Sequence, residues 1–149
     1  MIRPQLKFSK LDSHALLPEY QSEGASGFDF HALEKVILKN GEVSLVRTGL
    51  AVEIPAGFEL QVRARSGLAA KHGVFLVNGV GTIDADYRGE IKIILSTCKN
   101  ADVILQAGDR IAQGVLAPVF QAVIVEANQL SSTSRGVGGF GSTDSTRPS

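Results

Sequence analysis

Apolar and polar residues alternate with a period of two along most of this chain. Leu6 and Phe8 alternate with Lys7 and Ser9, and Leu50, Val52 and Ile54 with Ala51 and Glu53. Phe58, Leu60, Val62 and Ala64 alternate with Glu59, Gln61, Arg63 and Arg65; Ile91, Ile93 and Leu95 with Lys92, Ile94 and Ser96. Such alternation puts one face of a strand in a core and the other in solvent. Further strand-like runs lie at Gly27–Leu33, Glu42–Val46, Val74–Val77, Val103–Leu105, Arg110–Leu116 and Ala122–Glu126. Turn chemistry separates them. Lys39-Asn40-Gly41-Glu42 carries an Asn-Gly hairpin signal. Ile54-Pro55-Ala56-Gly57 suits a type I turn with Pro second and Gly fourth, and Ala107-Gly108-Asp109 is another break. Only Ser66–His72 reads as helix, with Ser66 as its cap. Many short strands with such spacing predict an all-β antiparallel sandwich or barrel with one short helix.

The last segment differs in kind. Residues 131–149 are nearly all Ser, Thr, Gly or charged, with Val137 and Phe140 the larger apolar exceptions. Such a stretch buries too little to order itself, so the chain divides into a β-domain over residues 1–130 and a flexible arm over 131–149.

Composition narrows the function classes. At 149 residues one domain with a proper core is expected. Lys+Arg and Asp+Glu are both 15, so no global charge steers the chain to nucleic acid or an anionic membrane. Any basic site must be local. Cys98, the single cysteine, forms neither an internal disulfide nor a Cys-based zinc site, and its apolar-flanked strand predicts a small core residue. Met1–Lys10 has no apolar signal core, and no run reaches membrane-spanning length. A soluble, cytoplasmic protein is the expectation.

Four segments carry candidate chemistry. Asn78 to Glu90 places two glycines, two carboxylates and Tyr87 in what fits a tight β-hairpin. Its glycines allow a ligand close to the backbone. Asp84 suits a general base and Tyr87 a flat stacking surface; on the segment alone, plain turn residues are the preferred reading of Asp84 and Asp86. In Arg63-Ala64-Arg65-Ser66-Gly67-Leu68 a strand delivers Arg65 and Ser66 to a helix start. Guanidinium, hydroxyl and free N–H groups converge there on an anion site, or the segment is a capped helix with a solvated Arg. In Arg110-Ile111-Ala112-Gln113 a regular strand sends Arg110 and Gln113 to opposite faces, with Gln113 in a specific hydrogen bond if buried. Gly136-Val137-Gly138-Gly139-Phe140-Gly141 matches G-x-G-x-x-G. With neither a preceding strand nor a following helix it is not a dinucleotide fingerprint, and a Walker A Gly-Lys-Ser/Thr is absent. Arg135 before it and Ser142-Thr143 after it are phosphate-binding types on a floppy arm. Together the segments point to a ligand with several phosphates and one flat base.

In order, these segments resemble the five motifs of the trimeric dUTPase family: Ala25-Ser26-Gly27-Phe28-Asp29-Phe30, Arg65-Ser66-Gly67-Leu68-Ala69, Gly79 to Glu90 with Ile83-Asp84-Ala85-Asp86-Tyr87, Arg110-Ile111-Ala112-Gln113, and Arg135 to Thr143. The third and fifth are highly specific. Ala64 stands where Pro is usual, Ser26 splits the usual Ala-Gly, and Asp144 replaces a usual final Gly.

The resemblance implies a jelly-roll-like β-sandwich or distorted barrel that assembles as a homotrimer, with sites shared between subunits. It implies hydrolysis of dUTP to dUMP and diphosphate, which supplies dUMP for thymidylate synthesis and keeps uracil out of DNA. By the same resemblance Asp84 is the catalytic carboxylate that activates water for attack at the α-phosphorus. Asn78 and the backbone of Gly81, Thr82, Ile83 and Asp84 bind uracil, with a contact from Lys92. Tyr87 packs on the deoxyribose and excludes a 2′-hydroxyl. Arg65, Ser66, Gly67 and Gln113 hold phosphates, and Arg110 binds phosphate or supports the site. Asp29 reaches Mg²⁺ through water. Arg135, Gly141, Ser142 and Thr143 clamp the β- and γ-phosphates while Phe140 stacks over uracil. A dCTP deaminase shares the implied fold, but the complete fifth motif speaks against it; ammonia release from dCTP against pyrophosphate release from dUTP separates the two. A non-enzymatic capsid-like or regulatory sandwich is disfavoured by the joint presence of Asp84, Asp29, Arg65 and Arg135.

Overall fold

The structure, a computed structural model, describes residues 4–140. Its strands are β1 (Lys7–Lys10), β2 (Glu19–Tyr20), β3 (Phe28–His31), β4 (Val36–Leu38), β5 (Ser44–Arg47), β6 (Leu50–Glu53), β7 (Phe58–Arg63), β8 (Val74–Leu76), β9 (Gly81–Ile83), β10 (Lys92–Thr97), β11 (Val103–Leu105) and β12 (Arg110–Pro118). One helix, α1 (Ser66–His72), follows β7. The strands form a five-stranded sheet, β2-β3-β12-β7-β9, a three-stranded sheet, β5-β10-β8, and two pairs, β1-β6 and β11-β4. All these pairings are antiparallel. This is the expected all-β, jelly-roll-like sandwich with one short helix.

Alternation builds the core. Leu50, Val52, Leu60, Val62, Ile91, Ile93 and Leu95, all read as inward positions, are buried. Phe28 and Phe30 share one face of β3 and meet edge-to-face at 5.5 Å, with Phe8 at 5.8 Å from Phe28. Gly114 on β12 lies across from Phe28. A Cβ there would press on the Phe28 ring and stand 2.9 Å from Phe30 Cε2.

Several local expectations fail for identifiable reasons. Ala122–Glu126 forms no strand, and its apolar side chains are bare: Ile124 is 95% exposed. The run has strand composition but no partner among the described residues, and a strand needs a neighbour to bond its backbone. The Asn40-Gly41 turn closes, with Glu42 N–H donating to Lys39 O and Gly41 at φ 75°. It joins two sheets rather than a hairpin, because β4 pairs with β11 and β5 with β10. The Pro55 turn is shifted by one residue. Phe58 N–H donates to Pro55 O and Gly57, at φ 83°, is third, a positive-φ position that a type I turn lacks. Arg65, not Ser66, is the N-cap of α1 and makes no side-chain cap bond. Cys98 falls just beyond β10 and is exposed, not core. No helix among the described residues is long and apolar enough to cross a membrane.

Gly114→Ala should overpack the aromatic cluster and lower the unfolding free energy by about 1–3 kcal/mol, read from the urea midpoint. An unchanged midpoint would mean that the rings can yield.

Candidate active site

The pleat that sends Phe28 and Phe30 inward turns Asp29 to the opposite face of β3. There its side chain is 11% exposed. It is paired on both oxygens: Arg65 Nε lies 3.0 Å from Oδ1 and Arg110 Nη1 3.4 Å from Oδ2. Arg65 also donates through Nη1 to the Arg110 carbonyl at 3.1 Å. These residues, with Gln21, Gly27, Ser66, Gly67 and Gln113, line a cavity of about 290 Å³. Ser66 and Gly67 begin α1, so their N–H groups lack intrahelical acceptors and suit an anion.

Arg110 and Gln113 both face this cavity, contrary to the expectation for a regular strand. Arg110 pairs with His31 and Ala112 with Phe30, so two residues of β12 answer one of β3. This bulge turns Ile111 and Ala112 together into the core and brings Gln113 round to the side of Arg110. Gln113 donates to Ala64 O at 2.9 Å, the specific bond foreseen. Its Oε1 would stand 2.7 Å from a Cβ on Gly27, so a side chain at 27 would displace the Gln113 amide. His31 was not anticipated. Burial pushes its imidazole below the usual value, opposed by the Asp29 charge and reinforced by Arg110 and Arg65. Its Nδ1 is buried with no hydrogen-bond partner among the described residues.

A second cavity, about 380 Å³, is lined among others by Asn78, Gly81, Thr82, Ile83, Asp84, Tyr87, Glu90 and Lys92. The segment is not a closed hairpin. β9 adds to the sheet edge beside β7, with Thr82 opposite Gln61, and the chain then crosses to β10 in another sheet. The cavity therefore opens between two sheets. Gly79, at φ 71°, turns the chain into it. Asp84 and Tyr87 are exposed at its mouth, joined by a turn in which Tyr87 N–H donates to Asp84 O at 3.1 Å. The Tyr87 hydroxyl donates to the Glu90 carbonyl at 3.0 Å.

The expected residues thus fall into two groups. Asn78, Gly81, Thr82, Ile83, Asp84, Tyr87 and Lys92 line one cavity; Asp29, Arg65, Ser66, Gly67, Arg110 and Gln113 line the other, and the two share no lining residue. Arg135 and Phe140 line neither. Arg135 Nε donates to Gly138 O at 2.9 Å within its own turn, and Phe140 is fully exposed. Gly141, Ser142 and Thr143 lie outside the described residues. Among those described, no three His, Cys, Asp or Glu side chains cluster as metal ligands. Sequence reading overlooked Glu90, which lines the second cavity, and Arg47, its ion-pair partner at 3.1 Å. The Arg-Gly-Glu that ends the segment signals only the glutamate.

A family model described as dUTPase matches residues 13–144. Two bacterial relatives carry the name deoxyuridine 5′-triphosphate nucleotidohydrolase. That of Nautilia profundicola is 55% identical over 93% of this chain and 98% of its own length. That of Helicobacter pylori J99 is 52% identical over 93% of this chain and 96% of its own. A variant of the dUTPase from Staphylococcus bacteriophage 80alpha, solved with dUpNHpp, superposes with a TM-score of 0.85 at 25% identity, covering 93% of this chain and 98% of that one.

Proposed function

Because the chain belongs to the dUTPase family and hydrolyses dUTP to dUMP and diphosphate, we propose that it does so in a homotrimer whose subunits pool the two cavities and the arm. The observation that carries this reading is the division of chemistry in one chain. The base-and-water residues and the cationic residues line separate cavities, so a single chain holds two half-sites. A cyclic trimer apposes one subunit's Asp84 cavity to its neighbour's Arg65 cavity and repeats that contact three times.

In the joined site Asn78 and the backbone of Gly81 to Asp84 bond the polar edge of uracil, with Lys92 beside it. Cytosine exchanges donor and acceptor at one edge position and leaves buried groups unpaired. Tyr87 packs on the sugar and takes the space of a 2′-hydroxyl. Arg65, Arg110, Gln113 and the N–H groups of Ser66 and Gly67 hold the phosphates. Asp84 accepts a proton from a water aimed at the α-phosphorus, and diphosphate leaves in line.

Mg²⁺ fits the Asp29 side of this site in one way. Both Asp29 oxygens already face guanidinium groups, yet a carboxylate has about four lone-pair sites. The free ones suit waters on a cation that keeps part of its hydration. When bound with the nucleotide, the ion neutralises phosphate and leaving-group charge.

Residues 1–130 form the β-domain. Residues 131–149 are the closing arm, with Arg135, Ser142 and Thr143 on the outer phosphates and Phe140 over the base. The enzyme acts in the cytoplasm, supplying dUMP for thymidylate synthesis and keeping uracil out of DNA.

Asp84→Asn should lower kcat by about 10²–10⁴-fold, the range for a lost general base, while nucleotide still binds; near-normal pyrophosphate release would remove Asp84 from the mechanism. Mixing inactive Asp84→Asn and Arg65→Ala chains, unfolded and refolded together, should restore about a quarter of the sites in a randomly assembled trimer. No recovery would mean that each chain builds its own site. Deleting residues 131–149 should leave the melting temperature unchanged, since little apolar surface is lost, and lower kcat at least about tenfold through loss of positioning and water exclusion. It should change dUMP affinity little, because dUMP lacks the outer phosphates. Unchanged kcat would make the segment a passive tail.

A further inference from the structure

Tyr87 has little to hold its pose. The ring is 46% exposed, so packing covers only one side. On that side it lies over Gly89, where a Cβ would come within 2.6 Å of the ring carbon Cζ. Its hydroxyl is tied to a single acceptor, the Glu90 carbonyl at 3.0 Å. Where that carbonyl stands therefore decides where the ring stands.

Residues 90 and 91 are fastened to the corner between β5 and β6. Arg47 Nε donates to both Glu90 oxygens, at 3.1 and 3.2 Å. Gly49 N–H donates to Glu90 Oε1 at 3.0 Å. Thr48 Oγ1 donates to Ile91 O at 2.7 Å, and Ile91 N–H to Leu50 O at 2.8 Å. The corner itself is rigid: Gly49 sits at φ 69°, and a Cβ there would lie 3.0 Å from Ala15 and Leu33 side-chain carbons. The Glu90 side chain is 14% exposed, so its carboxylate is a shielded anchor rather than a solvated charge. Glu90 also offsets a like-charge contact, because Arg47 stands directly opposite Lys92. Lys92 lines the same cavity as Tyr87.

We propose that Glu90, clamped by Arg47 and Gly49, is a positioning residue that fixes the Tyr87 ring and thereby sets discrimination between deoxyribose and ribose. This rests on the reading of Tyr87 as the surface that meets the sugar. Glu90 touches neither the phosphates nor the attacking water in that reading. Its removal should reach the reaction mainly through the sugar.

The test compares kcat/KM for dUTP and UTP in the full-length protein, for the wild type, Glu90→Ala, Glu90→Gln, Tyr87→Phe, Tyr87→Ala and the double variant Glu90→Ala/Tyr87→Phe. The ratio of the two kcat/KM values does not depend on how much enzyme is folded, so a general loss of stability leaves it unmoved. Glu90→Ala should lower the dUTP-to-UTP ratio by about 10–100-fold, the scale expected when a positioned group shifts by about 1 Å. Glu90→Gln keeps an acceptor for Gly49 N–H and should recover part of the ratio. Tyr87→Phe removes the tether itself, so adding Glu90→Ala to it should change the ratio little, as expected for two residues in one linkage. Should Glu90→Ala fail to fold, Glu90→Gln and Arg47→Lys carry the same comparison. A ratio unchanged in Glu90→Ala but collapsed in Tyr87→Ala overturns the role of Glu90 alone. Full additivity in the double variant does the same. A ratio unchanged in Tyr87→Ala overturns the reading of Tyr87 on which the inference rests.

Discussion

A carboxylate taken out of water must find opposite charge or lose its ionisation, and Asp29 imposes that constraint on the fold. The pleat of β3 leaves it no choice of direction, because Phe28 and Phe30 on either side are committed to the core. The charges that meet it come from distant parts of the chain: Arg110 opens β12, and Arg65 stands between β7 and α1. Three elements of the five-stranded sheet are thus registered by a polar contact on one face and an aromatic cluster on the other. The same guanidinium groups that neutralise Asp29 leave further N–H donors directed to the adjoining cavity. The pairing that tolerates a buried acid also preorganises an anion site.

The second half of the site is built differently. It depends on a loop that crosses from the five-stranded sheet to the three-stranded one, with β9 at the edge of the first and β10 central in the second. Ligand approach is possible because the backbone is bare at Gly79 and Gly81, and stiffness comes from the Arg47–Glu90 clamp. In the proposed mechanism dUTP hydrolysis needs both halves at once. The bare apolar run through Phe120 and Ile124, each 95% exposed, leads from β12 toward the arm. In the proposed trimer it is the path by which one subunit reaches another.

Much of this was legible in the sequence, and the limits have physical causes. Period-two alternation named the buried faces of β6, β7 and β10 because burial on one side of a strand leaves a direct trace. Helix-tolerant residues after Ser66 located α1 over Ser66–His72, although its cap falls on Arg65. The two-residue β2 left no pattern to read, and β4 was passed over although its Val-Ile-Leu repeats the run that named β11. The Asn40-Gly41 signal specified a turn, but a turn does not say which strands will pair across it. The run 122–126 had strand composition, and composition says nothing about the availability of a partner. Residue types at Arg65, Asp84 and Tyr87 identified the candidate chemistry, and Asp29 entered through the family resemblance. Their division between two cavities is a tertiary fact that no local pattern carries. Arg47 was invisible for the same reason, being joined to Glu90 across forty-three positions of chain.

The extra residue in β12 has a consequence for how this chain tolerates change in length. Upstream of the bulge and downstream of it, inside and outside are assigned by opposite parity. Excising Ile111 would leave Arg110 opposite His31, Ala112 opposite Phe30 and Gln113 opposite Asp29, now in a regular ladder, so every following position would keep its face. Elsewhere in a half-buried strand the loss of one residue turns every following position over. Here the loss would fall on packing, because a buried isoleucine side chain disappears from the core. The order of faces along the central sheet, and with it the anion cavity, would survive this one change in count.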